Sequence, residues 1–134
     1  MPVPFIVPAY AAVLALIYIV LAIRVSRMRQ SLRITIGSGG NMRLERAIRA
    51  HANFSEYVPL ALLLLFAAEM QRTSIYLIHL LCLILVIGRV IHAYGISQED
   101  EAMGLRITGG IATFLVLVVA SVVLLYDYVL FAGV

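Results

Sequence analysis

The sequence predicts an all-α integral membrane protein, a single domain over residues 1–134 built as a bundle of four transmembrane helices. Three observations carry this. Of the 134 residues, 63% are hydrophobic and only 13% charged, whereas a soluble domain is roughly 45–50% apolar and about 25% charged. The mean hydropathy of +1.05 also excludes a disordered chain, which needs low hydrophobicity and high charge. Finally, the apolar residues fall into four runs, each near the ~20 residues that a helix needs to cross a bilayer.

The first run, Phe5 to Val25, closes on Arg24, Arg27 and Arg29 and predicts a helix over about 5–27. Gly37-Ser38-Gly39-Gly40 then reads as a flexible turn, with Asn41 as the N-cap of a helix over about 41–70. That glycine stretch lacks the Lys-Ser/Thr of a phosphate-binding loop. Pro59 is expected to kink the second helix. The third helix is predicted over about 74–96 and the fourth over about 104–131, with Gly88, Gly109 and Gly110 as positions of close helix approach. The single cysteine, Cys82, excludes an intrachain disulfide and a cysteine zinc site, and reads as packing. No metal and no nucleic-acid partner is expected. With no basic stretch before the first apolar run, a cleaved signal peptide is not expected either.

All ten basic residues are arginines, cations that stay protonated and pair in forked geometry. Seven of them lie between the end of the first apolar run and Arg49, against Arg72 alone in the second loop. The positive-inside rule therefore places the loops between helices one and two, and three and four, in the cytoplasm, with both termini on the other side. Gln98-Glu99-Asp100-Glu101 falls on the cytoplasmic side, and Tyr10, Tyr76, Tyr126 and Tyr128 near the outer interface.

Polar residues inside the spans are costly, by roughly 2.5–3.5 kcal/mol for a central charge, so each must face a partner or a wet cavity. Arg46, Arg49, Asn53 and Glu56 share a stripe roughly 80° wide that descends about 15 Å along helix two. Arg46 and the bordering Glu45, near the water boundary, read as structural. Arg49, Asn53 and Glu56 combine donor, amide and acceptor and read as ligand-binding. Arg89 and His92 on helix three and Arg106 on helix four bring further cations to the same level, with Glu45 and Glu56 to compensate them. The surplus positive field favours a ligand with several carboxylates, or a thiolate. His51 projects away from the stripe, and His79 reads as a packing or interfacial histidine.

The run Glu45-Arg46-x-x-Arg49-Ala50-x-x-Asn53-x-x-Glu56-Tyr57-x-Pro59, with Arg89-x-x-His92 and Arg106, resembles the signature of the membrane-associated proteins in eicosanoid and glutathione metabolism, the MAPEG family, in its bacterial branch. The resemblance implies a homotrimer that binds glutathione as co-substrate between neighbouring subunits and acts on lipophilic electrophiles or hydroperoxides, as a bacterial inner-membrane enzyme. It implies that Arg49, Asn53, Glu56 and Tyr57 hold glutathione from helix two, Arg89 and His92 from helix three, and that Arg29 meets a glutathione carboxylate. Arg106 of the adjacent subunit would stabilise the thiolate as the catalytic residue. Ala52, Ile107, Gly110 and Ile96 stand where specialised synthases carry polar groups, which argues against a prostaglandin or leukotriene synthase. Two other readings compete: a non-catalytic membrane scaffold or binding protein of the same fold, and a small anion channel. The channel is disfavoured because helices one and four carry no midplane charge.

Overall fold

A computed structural model of the protein describes residues 5–100 and 102–131 and contains four helices, α1 (Ile6–Leu32), α2 (Met42–Met70), α3 (Ile75–Ser97) and α4 (Met103–Phe131). The expectation for Glu101 and those for residues 1–4 and 132–134 lie outside the described residues. Each helix is long and apolar enough to span a membrane. They run up, down, up, down, with α2 and α3 on the inner diagonal. Among the described residues α1 packs on α2 and α3, α4 packs on α3 and α2, and α1 does not touch α4.

The main boundary difference is at the end of α1, which continues to Leu32 rather than stopping near residue 27. The apolar run ends near Val25, but Arg27-Met28-Arg29-Gln30 are good helix formers and carry the hydrogen-bond ladder further. What stops the helix is Arg33 in the left-handed region (φ 55°). Ile34 N–H then donates to Arg29 O at 3.0 Å and Arg33 N–H to Gln30 O at 3.3 Å, a Schellman closure. Arg72 (φ 61°) ends α2 in the same way, with Thr73 N–H donating to Ala68 O at 3.1 Å. Between α1 and α2, Gly37, Gly39 and Gly40 all take positive φ, and Asn41 caps α2 by accepting from Leu44 N–H at 3.0 Å. α2 runs as one helix through Pro59.

α1 lacks a capping side chain and any acid in its first turn. Glu69, at the far end of α2, supplies both. Its carboxylate accepts from the Phe5, Ile6 and Val7 N–H groups at 2.9, 2.8 and 2.8 Å. The negative charge sits on the positive end of the helix dipole, so the first helix is pinned to the second at the end of the bundle opposite the arginine-rich one.

The core is built around small residues. Ala47, Ala50, Ala61 and Ala68 of α2 are buried, interleaved with Phe54, Val58 and Leu65 at steps of three and four. α3 and α4 approach through glycine. A Cβ on Gly109 would meet Gly88 O at 2.5 Å and His92 N at 2.7 Å, and one on Gly95 would meet Arg106 N at 2.8 Å. Gly110 differs from the expectation: its nearest neighbour would be His92 Nδ1 at 3.9 Å, an ordinary contact, so its backbone borders open space. Even α3 has only 39% of its apolar window buried, so most of the apolar surface of the spans needs lipid or other protein against it.

Candidate functional site

The polar centre of the bundle is Arg89, 1% exposed. Its position follows from α3, where Gly88 lets the backbone approach α4 and leaves the neighbouring guanidinium to fill the space between α2 and α4. Nη2 donates to Asn53 Oδ1 at 2.7 Å and Nη1 to Thr113 Oγ1 at 3.3 Å. The Thr113 hydroxyl itself donates to Gly109 O at 2.9 Å. The guanidinium carbon lies 5.7 Å from the centroid of the Phe54 ring, a cation–π distance. Nε has no partner among the described residues.

This corrects the expectation that Glu45 and Glu56 compensate the buried cations. The one ion pair among the described residues joins Arg43 to Glu99, at the arginine-rich end of the bundle. Glu45 and Glu56 are exposed. Arg89 is held by neutral oxygens and a ring face, so its positive charge is solvated but not neutralised.

Beside it lies His92, buried, whose Nδ1 is 2.9 Å from Arg106 O. A carbonyl can only accept, so Nδ1 carries the proton. Nε2 has no partner among the described residues and, in the neutral ring, keeps a free lone pair.

A cavity of about 200 Å³ opens among Asn53 and Tyr57 of α2, Arg89 and His92 of α3, and Gly110, Thr113 and Phe114 of α4. The Tyr57 ring meets Phe114 edge-on, with centroids 5.5 Å apart. Small-molecule pockets begin near ~300 Å³, so this space takes part of a ligand rather than enclosing a tripeptide-sized one.

Asn53, Tyr57, Arg89 and His92 are thus brought together. The other four predicted site residues are elsewhere. Arg49 and Glu56 are exposed on the surface of the chain. Arg106 adjoins the cavity through its carbonyl bond to His92, while its half-buried side chain is not part of the lining. Arg29 is engaged in its own loop, donating to Gly37 O at 2.8 Å and Thr35 O at 3.3 Å. Arg46 has the structural place expected of it, 3.5 Å from Ile96 O near the end of α3. His51 stacks on Tyr18 with centroids 4.8 Å apart, and His79 Nδ1 lies 3.2 Å from the Tyr10 hydroxyl, both packing roles. Thr113 and Phe114 were not anticipated. Thr113 had a signal: it is a hydroxyl in an apolar stretch, one helical turn beyond Gly109.

An arginine buried between three spans, beside a small cavity and without a carboxylate partner among the described residues, defines the chain as a multi-pass membrane protein with an intramembrane cationic centre. The MAPEG family model matches residues 7–126, and the chain belongs to that family. It is similar to the inner membrane protein YecN of Escherichia coli (strain K12), with 34% identity over 90 residues, 67% of this chain and 69% of that protein. The protein of the same name from Escherichia coli O6:H1 matches with the same identity and coverage.

Proposed function

We propose that the protein is a glutathione-dependent transferase or peroxidase of the inner membrane, acting on lipophilic substrates, with its arginine-rich end in the cytoplasm. The observation that carries this reading is Arg89, a buried cation with no carboxylate partner among the described residues, on the cavity that gathers Asn53, Tyr57 and His92. Family membership supports the choice of glutathione, whose two carboxylates and thiol suit a site of positive charge. Arg49 and Glu56, each about one helical turn from Asn53 on α2, offer a donor and an acceptor to the part of the peptide outside the cavity. In a homotrimer a neighbouring chain would cover that exposed face and close the site.

A free thiol ionises near pH 8.5, and an adjacent arginine in a dry site raises its ionised fraction at neutral pH. We assign that role to Arg106. The thiolate attacks an electrophilic carbon, a C–S bond forms, and the leaving group departs with its electron pair, or an epoxide oxygen takes up a proton. With a hydroperoxide, the thiolate attacks oxygen, releases an alcohol and becomes a sulfenic acid. A second glutathione converts this to the disulfide and water.

Calorimetric titration of glutathione into the detergent-purified protein tests this. Saturable binding in the wild type, lost in Arg49→Ala and retained in Arg106→Ala, is the expected result. An electrophile screen then reads thiolate activation, which Arg106→Ala should lower by about 10²-fold or more. No binding by folded wild-type protein would overturn the reading. One observation favours a second reading, a binding or scaffold protein without turnover: Gly110, which lines the cavity, supplies no side-chain hydroxyl there. Glutathione binding with no product from any electrophile or hydroperoxide would select it.

A further inference from the structure

A second and larger cavity lies on the other face of α3, away from the Arg89 cluster. It measures about 780 Å³ and runs between α1 and α3 at the arginine-rich end. Its floor is apolar, with Leu21 and Ala93 buried and Val20 and Val90 along the open sides. Tyr94, 59% exposed, stands at the rim, where an amphipathic ring meets the membrane interface.

The mouth is charged, and its charges are unevenly matched. Arg43 and Glu99 pair with each other across it. Arg24, half-buried, donates to the Ser97 hydroxyl at 2.6 Å and has no carboxylate partner among the described residues. The Ser97 hydroxyl donates in turn to Ala93 O at 2.6 Å, so a neutral group holds the guanidinium in place at the lip. Asp100, also in the lining, has no cation partner among the described residues. It lies just past the end of α3, whose terminal carbonyls add partial negative charge. Among the described residues the mouth therefore offers one open cation and one open anion above an apolar slot.

We infer that this groove binds a zwitterionic aminophospholipid. The phosphate accepts from Arg24, the primary ammonium donates to Asp100, and the acyl chains lie along Val20, Leu21 and Val90. The slot lies between two helices long and apolar enough to span a membrane, with Val20 and Val90 exposed along it, and an arginine in such a place holds its charge at headgroup level while its stem stays in the apolar region. A headgroup with both charges satisfies both open groups. An anionic headgroup would leave Asp100 facing a like charge, and a quaternary ammonium has no N–H to donate.

The test is native mass spectrometry of the full chain released from bilayers of equal parts phosphatidylethanolamine, phosphatidylcholine and phosphatidylglycerol. We expect one phosphatidylethanolamine retained over the other two lipids by roughly fivefold, the scale of an interfacial ion pair. Asp100→Asn should remove the preference over phosphatidylcholine. Arg24→Gln should lower retention of all three lipids. Val20→Trp, at an exposed side chain, should fill the slot and displace lipid without altering either charge. Circular dichroism establishes that each variant is folded. Equal retention of the three lipids, a preference for phosphatidylglycerol, or an unchanged preference in folded Asp100→Asn would overturn the proposal. Glutathione titration is expected to be unchanged by these substitutions, since none of the three residues borders the Arg89 cavity or is among the residues assigned to glutathione.

Discussion

At Arg89 the chain holds a cation in its interior with a side-chain amide and a hydroxyl instead of a counter-ion. Such a group is expensive to leave half-satisfied, because a buried charge that loses a partner keeps its desolvation cost. Asn53→Ala removes the 2.7 Å bond to Nη2 and is expected to lower stability by about 2–3 kcal/mol, read as thermal unfolding in detergent. Adding Arg89→Met should recover part of that loss, because the orphaned charge is then gone. If the double variant is destabilised by the sum of the two single changes, Arg89 and Asn53 are not coupled. The stripe of Arg46, Arg49, Asn53 and Glu56 was legible in the sequence because it needs only the helical period. Which member turns inward was not: Asn53 borders the buried alanine face, while Arg49 and Glu56 lie on the exposed side.

At the scale of the element, helix ends were set by two kinds of signal. Asn41 was readable because an N-cap is local, three residues from the N–H it satisfies. The cap of α1 was not, because Glu69 reaches Phe5, Ile6 and Val7 from more than sixty positions away in the chain. In the sequence Glu69 stands beside Arg72 and suggests nothing more than a polar loop. Glu69→Ala is expected to cost about 1–2 kcal/mol, within the range of a lost helix cap. It should speed amide hydrogen exchange at Ile6 and Val7 more than at the α3 core. Uniform exchange changes along α1 would assign Glu69 no capping role. Glycine shows the same division. Gly88 and Gly109 were expected as contact points and are, whereas Gly110, one residue further round α4, opens on the cavity.

For the whole molecule, the unpartnered apolar surface is the dominant fact. α1 and α4 lie on opposite flanks and do not meet among the described residues, and both expose large aliphatic side chains along their length. Lipid can cover these faces, and so can copies of the chain. The exposed places of Arg49 and Glu56, outside a cavity of about 200 Å³, are what a site completed by a neighbour requires. Native mass spectrometry of gently solubilised protein is expected to give a complex of three chains, each of 14.7 kDa. A monomer that still binds glutathione would remove the shared-site arrangement while leaving the ligand in place.

The sequence by itself determined the number of spans, their approximate limits and the family-like stripe on α2. These depend on hydropathy, helical period and residue type, all of which act over a few neighbouring positions. Only the tertiary structure decided that Arg89 is held by Asn53 and Thr113 rather than by a carboxylate, that Glu69 caps α1, and that Arg24 and Asp100 share the mouth of one groove. Each of these joins groups tens of residues apart. Their energies depend on which faces the helices turn towards one another, and that is settled by packing at the small residues, not by any local run of the chain.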